Sequence, residues 1–321
     1  MYLVNCFPKF KFKMVQGNGF RNRFKNKTVI GNYVALVTPF KDGKIDEKSL
    51  KKLIEFLIKE GCDGIVPCGT TGEAATLDYD EHIRVIELTM EYVDGRVKVM
   101  AGTGSNSTKE AIELTKEAEK LKVDSVLLIA PYYNKPTQRG LYEHFKKIAE
   151  ECAVPQVLYN IPGRTSVNIE SETVIRLANE CKNIVGIKEA SGNFKQIFQI
   201  IKGAPENFSV VSGEDMLTLP MISVGATGVI SAVANLVPKK MTDLVRLSLE
   251  GDLEKANEIH YELIELFDTL FIETNPVPVK TALYIAGIID SPEVRLPLAP
   301  ISDKNFDILK RVVQKYIGRI R

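Results

Sequence analysis

The sequence predicts an α/β protein folded as a (β/α)8 TIM barrel with a C-terminal helical appendix. Three observations carry that expectation: short β-branched runs recur from residue 33 to 232, amphipathic helical stretches separate them, and the chain beyond about 238 reads as helix alone. Strands that alternate with helices imply parallel pairing and right-handed crossovers. Eight such units within about 200 residues point to a closed barrel rather than an open doubly wound sheet.

In chain order, the candidate strands are YVALVTPF (33–40), GIVPCG (64–69), VKVMAGTG (97–104), SVLLIAPYY (125–133), QVLYNIP (156–162), IVGIKEAS (184–191), FSVVSGED (208–215) and GATGVISA (225–232). Between the first two, DEKSLKKLIEFLIKEG sets Leu50, Leu53, Ile54, Leu57 and Ile58 on one helical face. STKEAIELTKEAEKL opens on a Ser-Thr cap. The seventh unit is the tightest, because SGEDMLTLPMISVG leaves little room for its helix. The C-terminal helices are PKKMTDLVRLSLEG, DLEKANEIHYELIELFDTLFI, VPVKTALYIAGI and DKNFDILKRVVQKYIG, the first of which closes the eighth unit. The expected organisation is a basic tail over 1–29 outside the fold, a catalytic barrel over 30–249 and a helical region over 250–321.

Composition narrows the function classes. A hydrophobic content of 45% with 26% charged residues fits a globular protein, and no run approaches the roughly 18 apolar residues of a membrane span. Five scattered cysteines, Cys6, Cys62, Cys68, Cys152 and Cys181, frame no disulfide set and fit a reducing, cytoplasmic setting. Three widely separated histidines argue against an imidazole metal centre. Residues 1–29 hold seven Lys or Arg and no acid, leaving 35 basic against 41 acidic residues in the body. That mildly acidic body suggests no nucleic-acid surface. The head resembles a transit peptide in lacking acids, but it has no serine and no amphipathic period.

In such barrels chemistry sits where strands end, on the loops that follow. Lys188 closes the apolar run of the sixth candidate strand, where desolvation disfavours an ammonium group and favours the free amine that attacks carbonyls. The plainer alternative is a lysine that snorkels to solvent or pairs with Glu189. Tyr159 ends the neighbouring strand, about 4.8 Å away, and its phenol can shuttle the proton that a carbinolamine needs to lose water; a half-buried aromatic is the plain reading. GTTGE (69–73) closes the second strand, across the barrel from the sixth, and its glycines let backbone N–H groups approach an anion. It lacks the ending of a nucleotide-phosphate loop. Arg164, held by Pro162 and Gly163, can grip a carboxylate in bidentate fashion, although surface arginines are commoner. Tyr132 and Tyr133 form an aromatic pair at the rim, as packing or interface residues often do.

Together these features describe a Schiff-base barrel that handles a small keto acid. CGTTGEAATL, AGTGSN, PYYNKPTQRGL, YNIPGRT, GIKEASGN, SGED, GVISA and FIETNPVPVK follow in an order that closely resembles the dihydrodipicolinate synthases of the class I aldolase family, which also holds N-acetylneuraminate lyase. The resemblance spans residue 31 to about 318. It implies condensation of pyruvate with aspartate semialdehyde, the committed step toward lysine and diaminopimelate, with no metal or organic cofactor. It also implies that Lys188 carries the pyruvate imine, that Thr71, Tyr159 and Tyr133 relay protons, and that Thr70 and Thr71 hold the pyruvate carboxylate. Arg164 would bind the semialdehyde carboxylate, and Gly213 and Ile230 would line the pyruvate pocket. In that family the tyrosine matching Tyr133 enters from a neighbouring subunit, so a homodimer or dimer of dimers is implied. Ala75, His82, Gly104, Asn106, Glu110 and Tyr132 match a feedback site for lysine, while Tyr79 departs from the histidine often found beside it; the same residues also suit plain interface packing.

Two other readings remain at this stage besides another keto-acid lyase of the same family. A metal-dependent barrel hydrolase would draw on Glu189, Glu214 and Asp215. A non-catalytic keto-acid-binding barrel would keep Thr70, Thr71 and Arg164 without a covalent adduct.

Overall fold

All eight candidate strands form, and they close into a parallel barrel. In the computed structural model, which describes residues 24 and 26–317, the barrel strands are β1 (Gly31–Ala35), β4 (Gly64–Val66), β5 (Lys98–Gly102), β6 (Ser125–Ile129), β7 (Gln156–Asn160), β8 (Ile184–Glu189), β9 (Ser209–Ser212) and β10 (Gly228–Ser231). They pair in the order β1-β10-β9-β8-β7-β6-β5-β4, which closes on itself. A minor hairpin, β2 (Phe40–Lys41) and β3 (Lys44–Ile45), follows β1. The first strand thus starts two residues earlier than the expected 33 and stops at Ala35, after which the chain leaves the barrel.

Helices cover the strands because their apolar stripes face inward. Helix Glu47–Lys59 buries Leu50, Leu53, Ile54 and Leu57, and Asp46 caps its first turn by accepting from Ser49 N–H. Helix Tyr79–Val93 opens on a full capping box between Asp78 and Glu81. After β9 there is room only for helix Thr218–Ser223, as the crowded sequence there implied. Helices Leu253–Thr269, Val277–Ile285 and Asp303–Ile317 make the C-terminal region, with the last packed against the other two.

Two apolar layers result. The larger lies between strands and helices and includes Val34, Ile65, Val99, Leu128, Ile184 and Ile187; the smaller fills the barrel with Tyr33, Val66, Met100, Leu127, Val157, Tyr159, Val211 and Ile230. Strand alternation would set residues two apart on one face. Yet Ile184 and Ile187, three apart, both face the outer layer, because the pairing with β7 shifts by one residue at Gln156/Val157. That bulge changes the phase of β8, so that Lys188 lies on the inner face beside Tyr159 while Glu189 faces the helices.

The basic head does not end where expected. Val29 is buried in the barrel layer and donates its N–H to Ser209 Oγ at 3.0 Å, and Lys27 Nζ donates to Phe208 O at 2.6 Å. The fold therefore begins before residue 30, because Val29 plugs the amino-terminal end of the barrel; the expectation for residues 1–23 and 25 lies outside the described residues. Cys62, Cys68, Cys152 and Cys181 are free and buried. No helix among the described residues is long and apolar enough to cross a membrane.

Candidate active site

The mouth formed by the carboxyl ends of the strands gathers most of the candidate residues. Lys188 and Tyr159 are register partners across β8 and β7, and the lysine amine lies 4.2 Å from the centre of the tyrosine ring. Lys188 is only 6% exposed. Among the described residues its Nζ has no carboxylate or hydrogen-bond acceptor within bonding distance, so the amine is open to a ligand. Gly213, immediately after β9, is glycine for a packing reason. A Cβ there would lie 3.1 Å from both Cγ and Cε of Lys188 and 2.7 Å from Cβ of Ala190, so a side chain would displace the lysine stem. Ile230 on β10 packs in the same inner layer as Tyr159 and Val211.

Two of the three acids of the metal-hydrolase reading, Glu189 and Asp215, are otherwise engaged, and the third, Glu214, is exposed. Glu189 accepts from Asn160, Gln196 and the Ser191 N–H on the outer face of the barrel. Asp215 accepts from the Ser231 hydroxyl and from the N–H groups of Ala232 and Val233, which anchors the chain just after Ile230. Burial pushes its carboxyl up to about 6, against those hydrogen bonds and the nearby charge of Lys188.

Facing the lysine is the turn after β4. Thr71 is buried, and its hydroxyl oxygen accepts from Asn275 Nδ2 at 2.9 Å. A hydroxyl has one donor and two acceptor sites, so this bond leaves the Thr71 proton free to be passed on. Asn275 also offers its backbone carbonyl to the Arg164 guanidinium at 3.4 Å. Arg164 itself stands in a single helical turn, Pro162–Thr165, which replaces the loop expected there and stiffens its approach. Thr70, Tyr159, Arg164 and Asn275 line a cavity of about 380 Å3. Lys188, Gly213 and Ile230 do not line it; Gly213 packs against the lysine stem and Ile230 lies in the inner layer of the barrel.

The same cavity is also lined by Ala75, His82, Gly104, Glu110 and Tyr132. His82 Nε2 is 2.7 Å from Gly102 O, and burial lowers the pKa of its ring. Glu110 accepts from the Ser105 hydroxyl. Tyr132 is exposed, and the desolvation of its ring together with the Glu110 charge raises its phenol. Asn106 stands outside the lining and donates to Tyr132 O at 3.2 Å. Tyr133 is the member that a single chain does not bring to Lys188: it is 89% exposed, on a left-handed backbone with φ 73°. A non-glycine residue in that conformation is strained and marks a position worth a functional explanation.

Three residues with a hand in the site received no role from the sequence: Asn275, Glu73 and Lys280. Their motifs GTTGE and FIETNPVPVK were visible, but 204 residues separate Thr71 from Asn275. One signal was available, since Lys280 interrupts an apolar stretch as Lys188 does.

A sequence model of the Dihydrodipicolinate synthetase family matches residues 28–316. The 4-hydroxy-tetrahydrodipicolinate synthase of Pelobacter propionicus is 53% identical over 286 residues, which cover 89% of this chain and 98% of that protein. The crystal structure of dihydrodipicolinate synthase from Aquifex aeolicus superposes with a TM-score of 0.88 at 51% identity, covering 90% of this chain and 98% of that one. That of DHDPS from Cyanidioschyzon merolae with lysine bound gives 0.86 at 40% identity, over 91% and 99% of the two chains.

Proposed function

The chain belongs to the dihydrodipicolinate synthetase family and is a lyase with 4-hydroxy-tetrahydrodipicolinate synthase activity, and from that premise we propose which residues carry the reaction. Lys188 adds through its free amine to the pyruvate carbonyl; loss of water gives an imine, with the proton passed along Thr71, Tyr159 and Tyr133. The imine draws electrons from the methyl group, which gives up a proton. The resulting enamine carbon attacks the aldehyde of L-aspartate 4-semialdehyde. The amine of that product then displaces Lys188 and closes the ring.

Thr70 and Thr71 hold the pyruvate carboxylate, Gly213 and Ile230 flank the imine, and Arg164 grips the semialdehyde carboxylate. The observation that carries this reading is the Lys188 amine, unpaired among the described residues and 4.2 Å from the ring of its register partner Tyr159. Tyr133 acts in the site of a second copy, so the working form is at least a homodimer; its exposure and left-handed backbone support that role. Lysine binds between Ala75, His82, Gly104, Asn106, Glu110 and Tyr132 as a feedback inhibitor, an assignment supported by the lysine-bound relative and by Glu110 in the cavity lining. The buried free thiols favour a reducing, cytoplasmic setting.

The test is intact mass after incubation with pyruvate and borohydride, with the modified peptide mapped. A pyruvate-derived adduct on Lys188 is expected. A folded protein that binds pyruvate without forming the adduct would refute the assignment and leave a keto-acid-binding barrel.

A further inference from the structure

Three donors from the C-terminal helical region converge on the turn after β4. Asn275 Nδ2 donates to Thr71 Oγ1 at 2.9 Å, Lys280 Nζ to Glu73 Oε1 at 2.7 Å, and the Arg295 N–H to Glu73 Oε2 at 3.2 Å. Both side chains of the Lys280–Glu73 pair are 0% exposed. Their surroundings are aromatic: the Lys280 amine lies 4.2 Å from the centre of the Phe40 ring, and the Arg295 guanidinium carbon lies 4.2 Å from the same ring. Burial pushes the Lys280 ammonium down to about 8, with the Glu73 carboxylate opposing.

Glu73 is held in a conformation it would not choose. Its φ of 54° is left-handed, and its N–H closes the turn by donating to Thr70 O at 3.1 Å. Thr70, Thr71 and Glu73 therefore move as one turn, and the charge at its end is what the C-terminal region grips. Stability alone gives no reason for an ion pair there, because well-packed apolar residues in place of a buried pair are often neutral or better. What an ion pair adds is direction, and a displacement of about 1 Å at a reacting group can cost about a hundredfold in rate.

We propose that Glu73 and Lys280 are positioning residues for the pyruvate half of the reaction: their buried ion pair fixes the turn that presents Thr70 and Thr71, and so makes the C-terminal helical region part of the catalytic apparatus. The proposal rests on the roles given above to Thr70, Thr71 and Lys188. Both side chains are fully buried, so the pair acts through the turn rather than by contact of its charges with substrate.

The experiment measures the rate of borohydride trapping at saturating pyruvate, alongside melting temperature, in the full-length protein. Wild type is run first: absence of a Lys188 adduct would overturn the Schiff-base reading and this proposal together. Glu73→Gln keeps the side-chain shape and removes the charge, and trapping is expected to slow about tenfold. Glu73→Leu combined with Lys280→Met restores an uncharged, packed interior, and should melt near wild type while trapping about tenfold slower. A double variant that traps within threefold of wild type would show the pair to be merely structural, overturning the positioning role alone. Should these variants not fold, amide exchange in wild type decides. The N–H groups of Gly72, Glu73 and Ala74, which close the turn onto Gly69 and Thr70, are expected to exchange as slowly as the barrel strands. Exchange at exposed-loop rates, with helix Val277–Ile285 protected, would overturn it.

Discussion

Lys188 and Lys280 are the two lysines buried in the described part of the chain, and they are seated alike. Each points its amine at an aromatic ring, Tyr159 or Phe40, at 4.2 Å from the ring centre. They differ in one partner. Lys280 has the Glu73 carboxylate at 2.7 Å, whereas Lys188 has no acceptor among the described residues. A paired buried ammonium is committed to its carboxylate and works as a strut. A lysine amine without such a partner is available to whatever carbonyl enters the mouth. Burial alone thus does not mark a reactive lysine; burial without a partner does.

Removing each lysine tests that contrast most strongly. Lys188→Ala should lower turnover to below about a thousandth and abolish the borohydride adduct, because a covalent nucleophile has no substitute. Lys280→Met leaves the Glu73 carboxylate buried and unpaired, which should cost about 3–5 kcal/mol in urea unfolding. If Lys280→Met were neutral in stability, or Lys188→Ala kept its activity, the comparison would collapse.

Finer measurements extend it to other charges. Arg164→Ala should lower kcat/KM for the semialdehyde by about tenfold to a hundredfold, from the loss of a charge-assisted contact of about 1.5–3 kcal/mol, while the rate of pyruvate trapping stays within about twofold. Equal losses in both would count against the role given to Arg164. His144 is the buried base without a counter-charge. Its Nδ1 is 2.9 Å from Thr108 Oγ1, its Nε2 has no partner among the described residues, and burial lowers it to about 4. Between pH 6.5 and 4 the unfolded chain binds this proton and the folded chain does not, so stability falls as pH falls through that window. The slope should approach about 1.4 kcal/mol per pH unit from this residue and flatten in His144→Gln, read by melting at stepped pH. Smallest of all, breaking the exposed Arg96–Glu55 pair should leave the melting temperature essentially unchanged, since solvent screens it.

Much of the site was legible because barrel chemistry is confined to strand ends. Lys188, Tyr159, Thr71 and Arg164 could each be assigned to the mouth once eight apolar runs were counted. The hairpin of β2 and β3 escaped because its strands are two residues each, too short for any periodicity. Val29 escapes as a barrel residue because one valine at the end of a basic segment carries no pattern. Asn275 and Lys280 escaped for a different reason. Their partners are 204 and 207 residues away, a pairing that local sequence cannot express.

What the sequence by itself determined was the order of strands and helices, and with it the end of the barrel at which Lys188 stands, because apolar period and turn chemistry are local properties of the chain. Which face of β8 carries the lysine was decided only by tertiary structure. Simple alternation sets Lys188 on the face of Ile184, toward the helices. The one-residue shift in pairing at Gln156/Val157 reverses that phase and turns the amine into the barrel beside Tyr159. A bulge arises from how two strands pair in the closed sheet, and no single strand encodes it.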